Sequence, residues 1–279
     1  MTVTSATGTM RTVRPRRVIR SGEAKWAWAL VGVVALILLI WEAVVSWWGL
    51  VPAAFLPPPT AVFVSFVSLL GDPEFWAALG YSVSNLAIGV VLAVIVGVVG
   101  GLVIGWSPAL RFTVAPFLWL LYSTPKVALA PIFILALGLG SESKIALVFL
   151  LAVFPILLNT MEGAVTVPPS LVNAARVYGV RGIALGWKVI FPATLPYSLA
   201  GIQRGAVLGF TGEILGEFLG GTGGLGHLLE FAAYQFEMDD AIAMVIFTVI
   251  IANLTLTLIA VLRRRLAPWY DDRKIVGAS

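Results

Sequence analysis

Six stretches of about twenty apolar residues recur along this 279-residue chain, at roughly 27–47, 83–105, 112–138, 145–165, 199–219 and 241–262. A helix needs about twenty such residues to cross the hydrocarbon core of a bilayer. Within lipid every backbone polar group must be satisfied internally, which leaves only helices and closed barrels. Barrel strands alternate apolar with polar residues over about ten positions, whereas these runs are continuously apolar. The expected fold class is therefore all-α and integral to the membrane, with six spans. Composition agrees: 59% of residues are hydrophobic and 11% charged, against about 25% charged in soluble domains. The third run, broken by Pro125 and Pro131, is the least regular. The first follows a basic tail, but it exceeds the roughly 7–15 apolar residues of a secretory signal, and it reads as an uncleaved helix.

The positive charges give an orientation. Lys and Arg concentrate in cytoplasmic loops. With both termini inside, fifteen of the eighteen Lys and Arg residues are cytoplasmic. Lys144 alone falls outside, and Lys126 and Arg204 fall within spans. The expected organisation is a basic tail at 1–25, a membrane domain at 26–265 and a C-terminal tail at 266–279.

Several chemistries are excluded. There is no cysteine, so there is no thiolate metal site or cysteine nucleophile, and a Ser/His/Asp triad or His-rich metal site would have to rest wholly on the single histidine, His227, which reads as structural. No catalytic, cofactor-binding or metal-binding residue is assigned, and a net charge of +4 does not argue for nucleic acid. Gly221, Gly223 and Gly226 match G-x-G-x-x-G in form, but they follow a span and face outward, which is no place for a dinucleotide. The segment reads as a turn. Asp239 and Asp240, with Glu230 and Glu237, read as a solvated outer rim.

One cytoplasmic segment departs from the apolar pattern: LVNAARVYGVRGIALGWKVIFP, Leu171 to Pro192. Ser170 is a candidate N-cap and Gly179 a candidate left-handed helix end. A second short helix is expected at about Ile183 to Val189, ending before Pro192. The whole is a compact helical hairpin with a basic rim, and Ala174 and Ala175 offer a shallow surface for another protein. Ala174, Ala175, Gly179, Val189, Phe191 and Pro192 resemble, in spacing, the EAA loop of permease subunits of binding-protein-dependent ABC importers, with Asn173 where that family has Glu. FLPPPTAV at 55–62, PKVALAPIFILALGLGSESKIAL at 125–147, GLGHLLEFAAYQFEMDDAIAMVIF at 224–247 and RRRLAPW at 263–269 are similar to the nitrate/sulfonate/taurine branch. The resemblance implies a type I importer permease fold whose EAA-type loop, about 168–193, is a coupling helix between the fourth and fifth spans. It also implies a homodimer in the bacterial inner membrane, cytoplasmic ABC ATPase subunits that hydrolyse the ATP, and an extracytoplasmic solute-binding protein. The permease itself would be non-catalytic.

Charges inside spans default to functional candidates. Lys126 follows Ser-Thr-Pro in the third span, and with Arg204 it is a candidate to offset an anionic solute in transit. Glu213 and Glu217 are four apart and share one helix face, which must line a watery path or meet a partner helix. Glu217 also resembles a recurrent acidic position of the family. The candidate translocation path is thus Lys126, Arg204, Glu213 and Glu217. The cargo expected from the resemblance is a small, anionic solute such as a sulfonate, taurine or nitrate. The alternatives are an importer of a pyrimidine vitamin precursor and an ion-coupled secondary transporter that uses Glu213 and Glu217.

Overall fold

A computed structural model describes residues 21–267, with side chains from Trp26 onward. The basic N-terminal residues up to Arg20, and Trp269, Arg273 and Lys274, lie outside the described residues. Contacts divide the chain into two compact units, one ending at Val51 and the other starting at Pro52.

In the N-terminal unit α1 (Ser21–Glu42) runs into a π-turn (Ala43–Trp47). Glu42 and Ser46 meet across this last turn, where the Ser46 hydroxyl donates to Glu42 Oε1 at 2.8 Å. Local hydrogen bonding of this kind lowers the cost of a carboxylate in an apolar helix.

The C-terminal unit is also helical: α2 (Pro59–Leu70), α3 (Pro73–Trp106), α4 (Pro108–Ser123), α5 (Ala130–Leu137), α6 (Ser141–Val165), α7 (Pro169–Val177), α8 (Gly182–Leu185), α9 (Phe191–Gly220), α10 (Leu225–Tyr234) and α11 (Met238–Leu266). Among the described residues five helices are long and apolar enough to cross a membrane, and the pair α4 and α5, bent by 79°, makes up to six if it crosses as one broken span. That bend falls where the sequence placed the irregular span. Pro125 has no N–H to continue α4, and carbonyls in the last turn of that helix take side-chain donors. The Ser123 and Thr124 hydroxyls donate to Leu120 O, and Lys126 Nζ donates to Tyr122 O at 2.7 Å.

Helix α6 is the centre of this unit, with 61% of its apolar window buried, against 6% for α11. Small residues explain its position. Along α3, Gly89, Ala93, Gly97, Gly101 and Gly105 recur every fourth residue and are buried. Along α9, Gly201, Gly205, Gly209, Gly212 and Gly216 are buried too. Lipid tails are as apolar as Leu, so association of spans depends on close packing rather than on the hydrophobic effect. A Cβ on Gly101 would lie 2.6 Å from Leu157 O, and one on Gly205 would lie 2.8 Å from Ala152 O. The glycines therefore let the backbones of α3 and α9 approach α6 from two sides. At one end Phe66 of α2 stacks on Phe247 of α11 at 4.0 Å.

Candidate functional site

The hairpin forms where the sequence placed it, with different internal wiring. Helix α7 starts at Pro169 with Pro168 as its cap residue, two residues earlier than a Ser170 cap requires. Proline at the first helical position lacks an N–H that would go unpaired anyway, so no serine cap is needed. The end is as expected. Gly179 has φ +80°, Val180 N–H donates to Ala175 O and Gly179 N–H donates to Arg176 O, both at 3.0 Å. This is a Schellman closure, which needs the left-handed residue.

The second limb does not stop before Pro192. Helix α8 passes through a π-turn (Gly186–Ile190) directly into α9. Phe191 N–H donates to Gly186 O across that wider turn. The π-turn sits immediately before Pro192, whose missing N–H and ring disfavour a regular α-turn there. Residues 182–220 thus form one 39-residue rod from the hairpin through the fifth span.

The hairpin has an inner and an outer face. Ala175, Val172, Val180 and Val189 pack against Ala164, Leu185 and Ile190. Ala175 is therefore part of the hairpin's own footing, which corrects its assignment to an open shallow surface. Asn173, Ala174 and Gly179 are exposed. So are Val177 at 85%, Tyr178 at 86% and Ile183 at 77%. Phe191 stacks edge-on against Trp187.

The membrane charges form two groups. Lys126 lies over the rings of Tyr122 and Phe154 at 5.0 and 4.9 Å. Arg204 is exposed, and its Nη1 donates to Asn159 Oδ1 at 3.3 Å. Glu213 and Glu217, by contrast, are fully buried. Ser82 donates to Glu217 Oε1 at 2.7 Å, Gly226 N–H donates to Glu217 Oε2 at 2.8 Å, and Asn85 Nδ2 donates to Glu213 Oε1 at 3.0 Å. Of the two possibilities for this face, the structure shows a helix meeting its neighbours, so neither carboxylate lines an open path. Glu213 Oε2 has no donor among the described residues and faces Glu217.

Lys144 is the cation of this cluster, which corrects its placement in an outer loop. It is fully buried in the first turn of α6 and donates to Leu139 O and to Gly220 O. The glycine-rich segment 221–226 is a turn wrapped around Glu217. Gly224 has φ +99°, and a Cβ there would lie 1.9 Å from Glu217 Oε1. The Glu217 carboxylate thus occupies the N-terminal end of α10, where free N–H groups and the helix dipole favour a negative charge. Asp239 and Asp240 are half-buried in the first turn of α11, and Asp239 Oδ2 accepts from Ser65 at 3.2 Å, so they are not a solvated loop. His227 lies 3.7 Å from Glu230.

Sequence reasoning missed Ser82 and Asn85. Their signal was a polar pair three residues apart, hence on one face, in an otherwise apolar 34-residue helix.

Residues 89–272 match the family described as binding-protein-dependent transport system inner membrane component. The chain is 29% identical to the taurine transport system permease protein TauC of Escherichia coli (strain K12), over 91% of this chain and 96% of the relative. It is 30% identical to the putative aliphatic sulfonates transport permease protein SsuC of Bacillus subtilis (strain 168), over 91% and 92%. It is 31% identical to the riboflavin transport system permease protein RibX of Chloroflexus aurantiacus, over 92% and 96%. Five to six apolar spans, the hairpin between α6 and α9, and these matches lead to one conclusion: the chain belongs to the permease family of ABC importers, in its taurine/sulfonate branch, and is an integral, multi-pass membrane protein.

Proposed function

We propose that this chain forms, as a homodimer, the translocation path of an ATP-driven importer for a small anionic solute of the sulfonate or taurine class. Its hairpin docks on a cytoplasmic ABC ATPase that hydrolyses the ATP, and an extracytoplasmic binding protein delivers the cargo. Both termini lie in the cytoplasm, and residues 26–265 act as one permease domain. The observation that carries this reading is the two-faced hairpin. Its inner face is anchored, while Val177, Tyr178 and Ile183 stand almost fully exposed. Large apolar side chains on a rigid, basic, water-facing segment are what a protein partner buries. The rod of residues 182–220 would carry a push on the hairpin across the bilayer.

Lys126 and Arg204 remain the candidates for offsetting an anion. Two relatives are named for taurine and sulfonates and a third for riboflavin, so an importer of a vitamin or its precursor is the second cargo reading. An ion-coupled carrier loses its basis, since Glu213 and Glu217 are tied to Ser82, Asn85 and Gly226. Uptake of labelled taurine into right-side-out vesicles that hold the chain with its ATPase, with the binding protein outside and ATP or a non-hydrolysable analogue inside, tests the proposal. Uptake only with ATP, and reduced in Lys126→Ala, is the expected result. Uptake driven by a proton gradient without ATP would sink it.

A further inference from the structure

An apolar cleft of about 560 Å³ runs along the C-terminal unit beside the hairpin. Its floor is α3 from Val94 to Trp106, and its walls come from the second limb with the start of α9 and from Leu262 and Leu266 of α11. The lone hydroxyl in the lining, Ser198, is already engaged by Thr160 and Thr194. Nothing in the cleft would bind a polar solute in transit.

Three observations identify an occupant. First, the thirteen residues from Val94 to Trp106 of α3 span about 18 Å, close to the roughly 15 Å of a single hydrocarbon leaflet. Secondly, one end carries the exposed indoles Trp106 and Trp187, and tryptophans sit at membrane–water interfaces. Thirdly, beside that end Lys188 follows Trp187 and Arg265 precedes Leu266, both exposed. No described carboxylate pairs with either. Basic residues at such a mouth attract anionic headgroups.

We infer that this cleft is a binding site for one acyl chain of an anionic phospholipid, with the headgroup phosphate between Lys188 and Arg265. Naming the cytoplasmic leaflet rests on the orientation proposed above; the site itself does not. The lipid occupies a joint of the molecule. Gly186 of the hairpin sits on Trp106, where a Cβ would come within 2.9 Å of the ring. The headgroup therefore bridges α11 to the segment that leads into the rod.

The test uses the full chain, purified in detergent, stripped of lipid, and titrated with phosphatidylglycerol or phosphatidylcholine of identical acyl chains. Adducts are counted by native mass spectrometry. Phosphatidylglycerol is expected to bind tighter by about fivefold or more. The preference should vanish in the K188Q/R265Q double variant, and Val99→Trp, which fills the cleft from an exposed position, should lose both adducts. Equal binding of the two lipids by the unaltered chain would overturn the proposal. So would a disulfide between two copies of Val99→Cys, which would place a second copy in the cleft. If Tyr178→Cys in cells reacts with an impermeant thiol reagent from outside, the orientation fails, while the lipid preference still stands because it is read in detergent.

Discussion

Glu217 and Lys144 show how single residues make a polar cluster tolerable in an apolar bundle. Glu217 takes hydrogens from a serine and from the backbone at the start of α10, and Lys144 ties down the Leu139 and Gly220 carbonyls. Removing the lysine leaves two buried carbonyls, Leu139 O and Gly220 O, without their donor. Lys144→Met is therefore expected to cost about 1–3 kcal/mol, read as a clear drop in the unfolding midpoint in detergent. An unchanged midpoint would mean that the ammonium does not hold the cluster. Gly224→Ala meets two obstacles. Its backbone, at φ +99° and ψ 171°, lies in a region essentially reserved for glycine and costs another residue about 1–3 kcal/mol, and its Cβ would overlap the Glu217 carboxylate. The expected result is a poorly folded, protease-sensitive protein at ordinary expression, checked by limited proteolysis of membranes. The sequence made Glu217 conspicuous, because a charge inside a span is rare. It left Lys144 looking like a loop residue, because its burial depends on where Gly220 and Leu139 converge.

At the scale of elements, the hairpin separates footing from display. Ala175 faces the Ala164, Leu185 and Ile190 cluster, while Val177 points away. The two positions should fail differently. Val177→Asp is expected to insert and fold normally yet lose co-purification with the ATPase and lose ATP-driven uptake. Ala175→Asp puts a charge against apolar neighbours and should lower stability itself, by about 1–3 kcal/mol. Identical melting and binding profiles for the two variants would contradict the two-faced reading. The broken third span and the Gly179 helix end were legible in advance, since proline removes a donor and a left-handed turn favours glycine. The run of α8 through Pro192 into α9 was not. Proline reads as a stop unless a π-turn re-pairs the carbonyls ahead of it, and that compensation is invisible in the residue order.

Over the whole molecule, the small-residue ridges of α3 and α9 bury α6, while α11 is left almost bare. The charge distribution supplies a test of orientation in a chain that contains no cysteine. Tyr178→Cys on the hairpin and Thr222→Cys in the turn after α9 are both at exposed positions. An impermeant thiol reagent added to intact cells should label Thr222→Cys and spare Tyr178→Cys. The reverse pattern would invert the proposed topology.

What residue order determined by itself was the helical, membrane-spanning class, the break at Pro125 and the site of the hairpin. Each depends on local chemistry: apolar length against bilayer thickness, a missing backbone N–H, a left-handed glycine. Only the tertiary structure decided which face of the hairpin is free, that Glu213 and Glu217 are enclosed rather than aligned along an open path, and that Ser82, Asn85 and Lys144 belong with them. Those contacts join residues as much as 135 positions apart, and they exist because glycine ridges bring α3, α6 and α9 close enough for short polar side chains to meet.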